Sequence, residues 1–184
     1  MSSSQFYIKK LSGLLSNVDT NEMDNCISVI RDAWERKAQI ITLGNGGSAM
    51  TALHFITDWS KMIYLKTGKP FYGRTLVDNI GVITAYSNDI SYQDVFSEQL
   101  KNILKVDDLV IAISGSGNSE NVIRAIDYSN SIGVETIGLS GFSGGRLREK
   151  AKYNFWVKSN DMQLVEDVHA CFGHIVMQDL CDCL

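Results

Sequence analysis

The run Leu109-Val110-Ile111-Ala112-Ile113 carries no polar side chain on either face, and no other feature constrains the chain as strongly. A strand that is apolar on both faces must be covered on both, which is the situation of a central parallel strand with helices above and below it. Ile40-Ile41 opens a second segment of this kind. Around these two the chain alternates. β-type runs at 39–43, 74–77, 109–113, 135–139 and 153–157 are each followed by a turn rich in Gly or Ser and then by a helical pattern. Strands that alternate with helices predict an α/β fold, here a three-layer αβα sandwich around a five-stranded parallel sheet. Ahead of the first strand, Asp19 with Glu22 three residues on reads as a capping box, and Met23, Ile27, Ile30 and Trp34 recur at the helical period. A shorter helical stretch covers 6–15. Leu164, Val168, Phe172, Ile175, Val176 and Leu180 mark a last helix after the irregular segment 158–161. The chain reads as one domain over 1–184, with N-terminal helices in 1–37 and an α/β core in 38–184.

Charge narrows the partners. There are 17 Lys and Arg against 21 Asp and Glu, a net charge of −4, and no basic block exceeds Lys9-Lys10. That balance argues against nucleic acid and a polybasic membrane contact, and leaves a small molecule as the expected partner. The opening MSSSQFYIKK lacks the apolar core of a signal peptide, and no apolar run approaches the roughly 18 residues that cross a bilayer, so a cytoplasmic location is expected. Cys26, Cys171, Cys181 and Cys183 read as reduced thiols, the last two as residues of a helix end rather than a metal pair.

In an open parallel sheet, ligands bind beyond the C-terminal strand ends. Directly after the first strand lies Gly44-Asn45-Gly46-Gly47-Ser48, where small residues let backbone N–H groups approach an anion at a helix N-terminus. With Ala49 the string also satisfies the dinucleotide pattern G-x-G-x-x-A, but the acid expected about 20 residues on is replaced by Lys66 and Lys69. No nucleotide cofactor is expected. The third strand runs into Ser114-Gly115-Ser116-Gly117-Asn118-Ser119, which can wrap a phosphomonoester with hydroxyl and backbone donors. The same string reads equally as a tight strand-to-helix turn with Ser119 as N-cap. The histidines are His54, His169 and His174. His54 and Asp58 are i and i+4 on the helix after the first loop, and so share a face; Glu166 and His174 lie near one face of the last helix.

Gly44 to Ser48 with His54, then Asn88-Asp89, Ser114 to Ser119, and the tail Met162-Gln163-Leu164-Val165-Glu166-Asp167-Val168-His169 with His174 together resemble the sugar isomerase (SIS) domain, specifically the bacterial phosphoheptose isomerases. The resemblance runs from about residue 5 to residue 180. It implies a flavodoxin-like sheet and a homotetramer with sites shared between subunits. The activity it implies converts sedoheptulose 7-phosphate to D-glycero-D-manno-heptose 7-phosphate, for lipopolysaccharide, capsule or a related glycoconjugate. By the same resemblance Asp58 is the catalytic carboxylate and His174 the acid-base histidine. His54, Asp58, Glu166 and His174 would hold one divalent metal per subunit, usually zinc. The substrate would meet Asn45, Gly46, Gly47 and Ser48 of the first loop, Ser114, Gly115, Ser116, Asn118 and Ser119 of the second, and also Asn88, Asp89, Gln163 and Glu166. Asn88-Asp89 reads otherwise as a plain turn before the helix at Tyr92.

Departures from the family pattern stand at the centre of the site. The family usually has Glu where Asp58 stands and Gln where Glu166 stands. It commonly places a hydroxyl residue at Gly115 and an Asp at Gln163. Two further readings follow: isomerisation of another sugar phosphate, an amino sugar among them, and a non-catalytic sugar-phosphate-binding regulator akin to a replication-initiation regulator of this family. That regulator lacks the acid-base histidine, and His174 here favours catalysis.

Overall fold

The computed structural model describes residues 2–182; Cys183 lies outside them. Two helices lead, α1 (Ser3–Leu15) and α2 (Thr20–Glu35), followed by β1 (Ile40–Gly44) and α3 (Gly47–Asp58). A π-helical segment Trp59–Ile63 and the short α4 (Tyr64–Thr67) lead to β2 (Gly73–Thr75), α5 (Ile80–Asp89) and α6 (Val95–Ile103). Then come β3 (Leu109–Ser114), α7 (Glu120–Ser131), β4 (Glu135–Ser140), α8 (Gly145–Lys150), β5 (Tyr153–Trp156) and α9 (Met162–Leu180). All neighbouring strands are parallel, in the order β2-β1-β3-β4-β5, the flavodoxin-like arrangement.

Alternation along the strands sorts the helices into two layers. Ile40, Leu109, Ile111, Ile113, Ile137, Leu139 and Phe155 face one side, against α2, α3 and α9, with the leucines of α1 packed on the rim. Ile41, Leu43, Val110 and Ala112 face the other, against α6, α7 and α8. This is the three-layer sandwich expected. Asp108 ties the strand starts together: its buried carboxylate accepts the backbone N–H groups of Gln39 (2.9 Å) and Lys105 (2.9 Å).

At the start of α2, Asp19 accepts the N–H groups of Asn21 and Glu22, but the box is not closed. The Glu22 carboxylate turns instead to the N–H of Trp156 (3.1 Å) and the Arg148 guanidinium (3.2 Å), pinning α2 to β5. The segment holding Asn88-Asp89 also departs from expectation. It is the last turn of α5, not a loop, because Asn79 caps that helix through the N–H of Val82 (3.1 Å) and the helical ladder runs on to Asp89.

Candidate active site

The order β2-β1-β3 reverses at β1, and the crevice beyond the ends of β1 and β3 is where such sheets hold ligands. Both loops lie there. A Cβ at Gly44 would stand 2.8 Å from the Ser48 carbonyl oxygen and 2.9 Å from that of Ile113, so only glycine lets the first loop close onto β3. Gly46 then takes φ +55°, the left-handed turn that starts α3. The loops are joined by a reciprocal amide pair. Asn45 Nδ2 donates to Asn121 Oδ1 (2.8 Å), Asn121 Nδ2 returns to Asn45 Oδ1 (2.9 Å), and the Tyr92 hydroxyl donates to the same Oδ1 (2.7 Å).

Between them is a cavity of about 150 Å³ lined by Asn45, Ser48, Ser114, Gly115, Ser116, Ser119, Met162 and Glu166. Ser119 takes the N-cap position of α7, but its hydroxyl does not cap; it lies 3.2 Å from the Ser114 hydroxyl across the cavity. The Val122 N–H is taken by Asn121 Oδ1 (3.0 Å), while those of Glu120 and Asn121 have no side-chain partner among the described residues, which suits an anion. No Lys or Arg lines the cavity, while the Glu166 carboxylate does, packed against Gly47.

Several expected ligand residues do other work. Asn118 is held within its loop, its Nδ2 donating to the Ser116 carbonyl (3.1 Å) and its Oδ1 accepting the N–H of Arg146 (3.1 Å). Gln163 opens onto a different depression, with Lys10 and Asp161. Asn88 donates to Asp89 Oδ1 (2.8 Å) at the end of α5 and does not line the cavity. Asn121, Tyr92 and Met162 are the site residues that the sequence reading passes over. Asn121 had a signal: an amide on the buried face of α7, among Val122, Ile123, Ala125, Ile126 and Ser129.

α3 and α9 pack side by side, and beyond the residues that line the cavity three of their side chains converge. His54 Nε2 lies 3.0 Å from Asp58 Oδ2 and 3.1 Å from His174 Nε2, and Asp58 Oδ2 lies 3.8 Å from His174 Nε2. One ligating atom from each falls within 4.8 Å of the others. Glu166 does not join them: eight residues of helix separate it from His174, a rise of about 12 Å, so a shared face does not bring both groups to one point. The expected fourfold ligand set is therefore a set of three in this structure.

A tetrahedral zinc with bonds of about 2.0–2.1 Å holds its ligand atoms ~3.3 Å apart. The observed separations of 3.0, 3.1 and 3.8 Å bracket that value, and two imidazoles with one carboxylate are suitable donors. His54 and His174 are about half exposed, at 52% and 51% of their side chains, which leaves an open side for substrate.

A parallel sheet whose strand order reverses at β1, with two Gly- and Ser-rich loops at that switch point and an imidazole–carboxylate cluster on the adjoining helices, is the arrangement of an α/β protein that holds a small ligand beyond its strand ends. The SIS domain model matches residues 6–141. The phosphoheptose isomerase of Aliarcobacter butzleri is 37% identical over 140 residues, covering 76% of this chain and 74% of that protein. That of Campylobacter concisus is 35% identical over 150 residues, covering 82% and 79%. In fold, the phosphoheptose isomerase structure from Francisella tularensis superposes with a TM-score of 0.89 at 22% identity, covering 99% of each chain. The one from Neisseria gonorrhoeae gives 0.88 at 22% identity, covering 97% of this chain and 95% of that one. The chain belongs to the SIS domain family, in the branch of the phosphoheptose isomerases.

Proposed function

We propose that the protein is a ketose–aldose isomerase acting on a seven-carbon sugar phosphate, converting sedoheptulose 7-phosphate to D-glycero-D-manno-heptose 7-phosphate for glycoconjugate synthesis. The convergence of His54, Asp58 and His174 on α3 and α9, the two helices whose N-terminal turns also line the serine-loop cavity, carries this reading. Isomerisation needs one group to take a proton from the carbon beside the carbonyl and another to give a proton to the neighbouring oxygen, through an enediol. The phosphate is held by Ser114, Ser116 and Ser119 with the N-terminus of α7, and Asn45 and Ser48 close the cavity from the other loop. Asp58 takes the carbon-bound proton and His174 exchanges the one on oxygen, with His54 fixing both.

A divalent metal, zinc by its ligand set, would be held by His54, Asp58 and His174 and would supply positive charge to the developing enediolate oxygens.

We also take residues 1–184 to be a single functional unit that assembles as a homotetramer in the cytoplasm. Exposed apolar side chains support assembly: Phe6 and Ile8 on α1, and Met50, Met62 and Leu65 along α3 to α4. No helix among the described residues is long and apolar enough to cross a membrane. The test of the activity is to incubate the protein, with and without chelator, with ketose phosphates of five to seven carbons and follow aldose formation by NMR. Turnover of the C7 substrate above the shorter ones is expected; turnover of none of them would remove the isomerase reading.

A further inference from the structure

Asp58 and His174 have no hydrogen-bond or ion-pair partners among the described residues beyond each other and His54. All three side chains stand at the surface of the groove, so their spacing is set by the backbones of α3 and α9. What holds those two backbones together lies directly beneath. Immediately after Asp58 the chain widens into the π-helical segment Trp59–Ile63, whose first residue is completely buried. The Trp59 indole Nε1–H donates to the carbonyl oxygen of Gly173 at 2.8 Å. The bond thus runs from the residue after Asp58 to the residue before His174. Phe55, the residue after His54, stacks on Trp59 with ring centroids 4.9 Å apart and planes 19° apart. Phe55 also fills the space where a Cβ on Gly173 would sit. Each of the three functional residues therefore has a chain neighbour in one buried knot, and π-helical turns of this kind gather at functional sites.

We propose that Trp59 is a positioning residue, whose indole N–H to the Gly173 carbonyl sets the distance between Asp58 and His174. The sequence gives this bond a purpose. A carboxylate one methylene shorter than the family's usual Glu must be brought closer to its partner, and a hydrogen bond that draws α9 onto the end of α3 does so. Misplacement by about 1 Å at a reacting centre can cost ~10²-fold in rate.

The kinetic arm of the test rests on the isomerase reading; a second arm does not. Trp59→Phe removes the donor and keeps an aromatic ring in the knot. In folded protein, kcat is expected to fall by about 10-fold or more with KM changed less than about twofold, because the phosphate loops are untouched. Titration of chelator-treated protein with zinc should show weaker binding in the variant than in the wild type, since the same three donor atoms move apart. Where Trp59→Phe does not fold, benzothienylalanine at position 59, an isostere with sulfur in place of the N–H, makes the same comparison without changing shape. Wild-type kcat and wild-type zinc affinity in a folded variant would overturn the proposal. So would a loss of activity that only tracks the fraction of folded protein. If the wild type isomerises no sugar phosphate, the isomerase reading fails, and zinc affinity alone decides for or against Trp59.

Discussion

His169 is completely buried where α9 crosses the end of β4, with Nε2 donating to the Ser140 carbonyl (3.3 Å) and Nδ1 without a hydrogen-bond partner among the described residues. Burial holds its imidazole neutral, with a pKa lowered to about 4, against about 6.5 in an unfolded chain. Between those values the unfolded state binds a proton that the folded state refuses, so stability is full above about pH 7 and is lost as pH falls from 6.5 toward 4. Linkage puts the loss at about 2 kcal/mol by pH 5. Asp94, lowered from 3.8 by Ser91 and Arg124, and Glu120, lowered from 4.5 by Arg146 and Arg124, lose their contributions chiefly as pH falls below about 4.5, so they add little to the change between pH 7 and pH 5. Urea unfolding at pH 7 and pH 5 measures the difference, and equal stability at the two would contradict a buried neutral His169. Residues of this kind are only partly legible in a sequence. The i, i+4 spacing was enough to pair His54 with Asp58. Glu166 and His174 share a face of α9, but the rise of eight helical residues between them keeps Glu166 out of the set of three, a separation that a face-only reading of the helix leaves out.

The serine loop and the helix it opens act as one element. Removing the Ser116 and Ser119 hydroxyls takes away two proposed phosphate donors and the acceptor of the Asn118 N–H (3.2 Å), while leaving the Asn45–Asn121 pair in place. Ser116→Ala with Ser119→Ala should raise the dissociation constant for a sugar phosphate by about 10-fold or more, at ~1 kcal/mol or more per lost hydrogen bond to a charged group. Calorimetric titration reads this directly, and unchanged affinity would move the phosphate elsewhere. Elements like this one were legible because strands apolar on both faces leave little choice of boundary: β3 and β4 each run one residue beyond the expected end. α5 was not legible. Gly81 and the β-branched Val82, Ile83 and Thr84 are poor helix formers. The helix is held by the Asn79 cap and by Ile83 and Tyr86 packing on the core, tertiary contacts that override local preference. Glu22 repeats the lesson. The capping-box spacing is present, but a strand end and an arginine 126 and more residues away claim the carboxylate.

For the whole molecule, the order β2-β1-β3-β4-β5 brings two loops that are about 70 residues apart in sequence onto one crevice, and lays α9 alongside α3 so that the last helix completes the site begun by the first loop. The exposed apolar residues of α1 and of α3 to α4 lie outside both cores, and burial against further copies would remove them from water. Light scattering at micromolar concentration should return four times the chain mass of 20.4 kDa, whereas a stable monomer would contradict the assembly proposed.

The central claim is that His174 and Asp58 move a proton on a bound sugar phosphate, and NMR of sedoheptulose 7-phosphate with the protein in D2O tests it most directly. The wild type should form the aldose and place solvent deuterium on the carbon that gains a proton. His174→Asn, which keeps a hydrogen-bonding edge but cannot exchange a proton near neutral pH, should be slower by ~10² to 10⁴-fold while binding the sugar phosphate with similar affinity. Equal binding by both proteins, with no aldose and no deuterium from either, would contradict catalysis and leave a sugar-phosphate-binding regulator in its place.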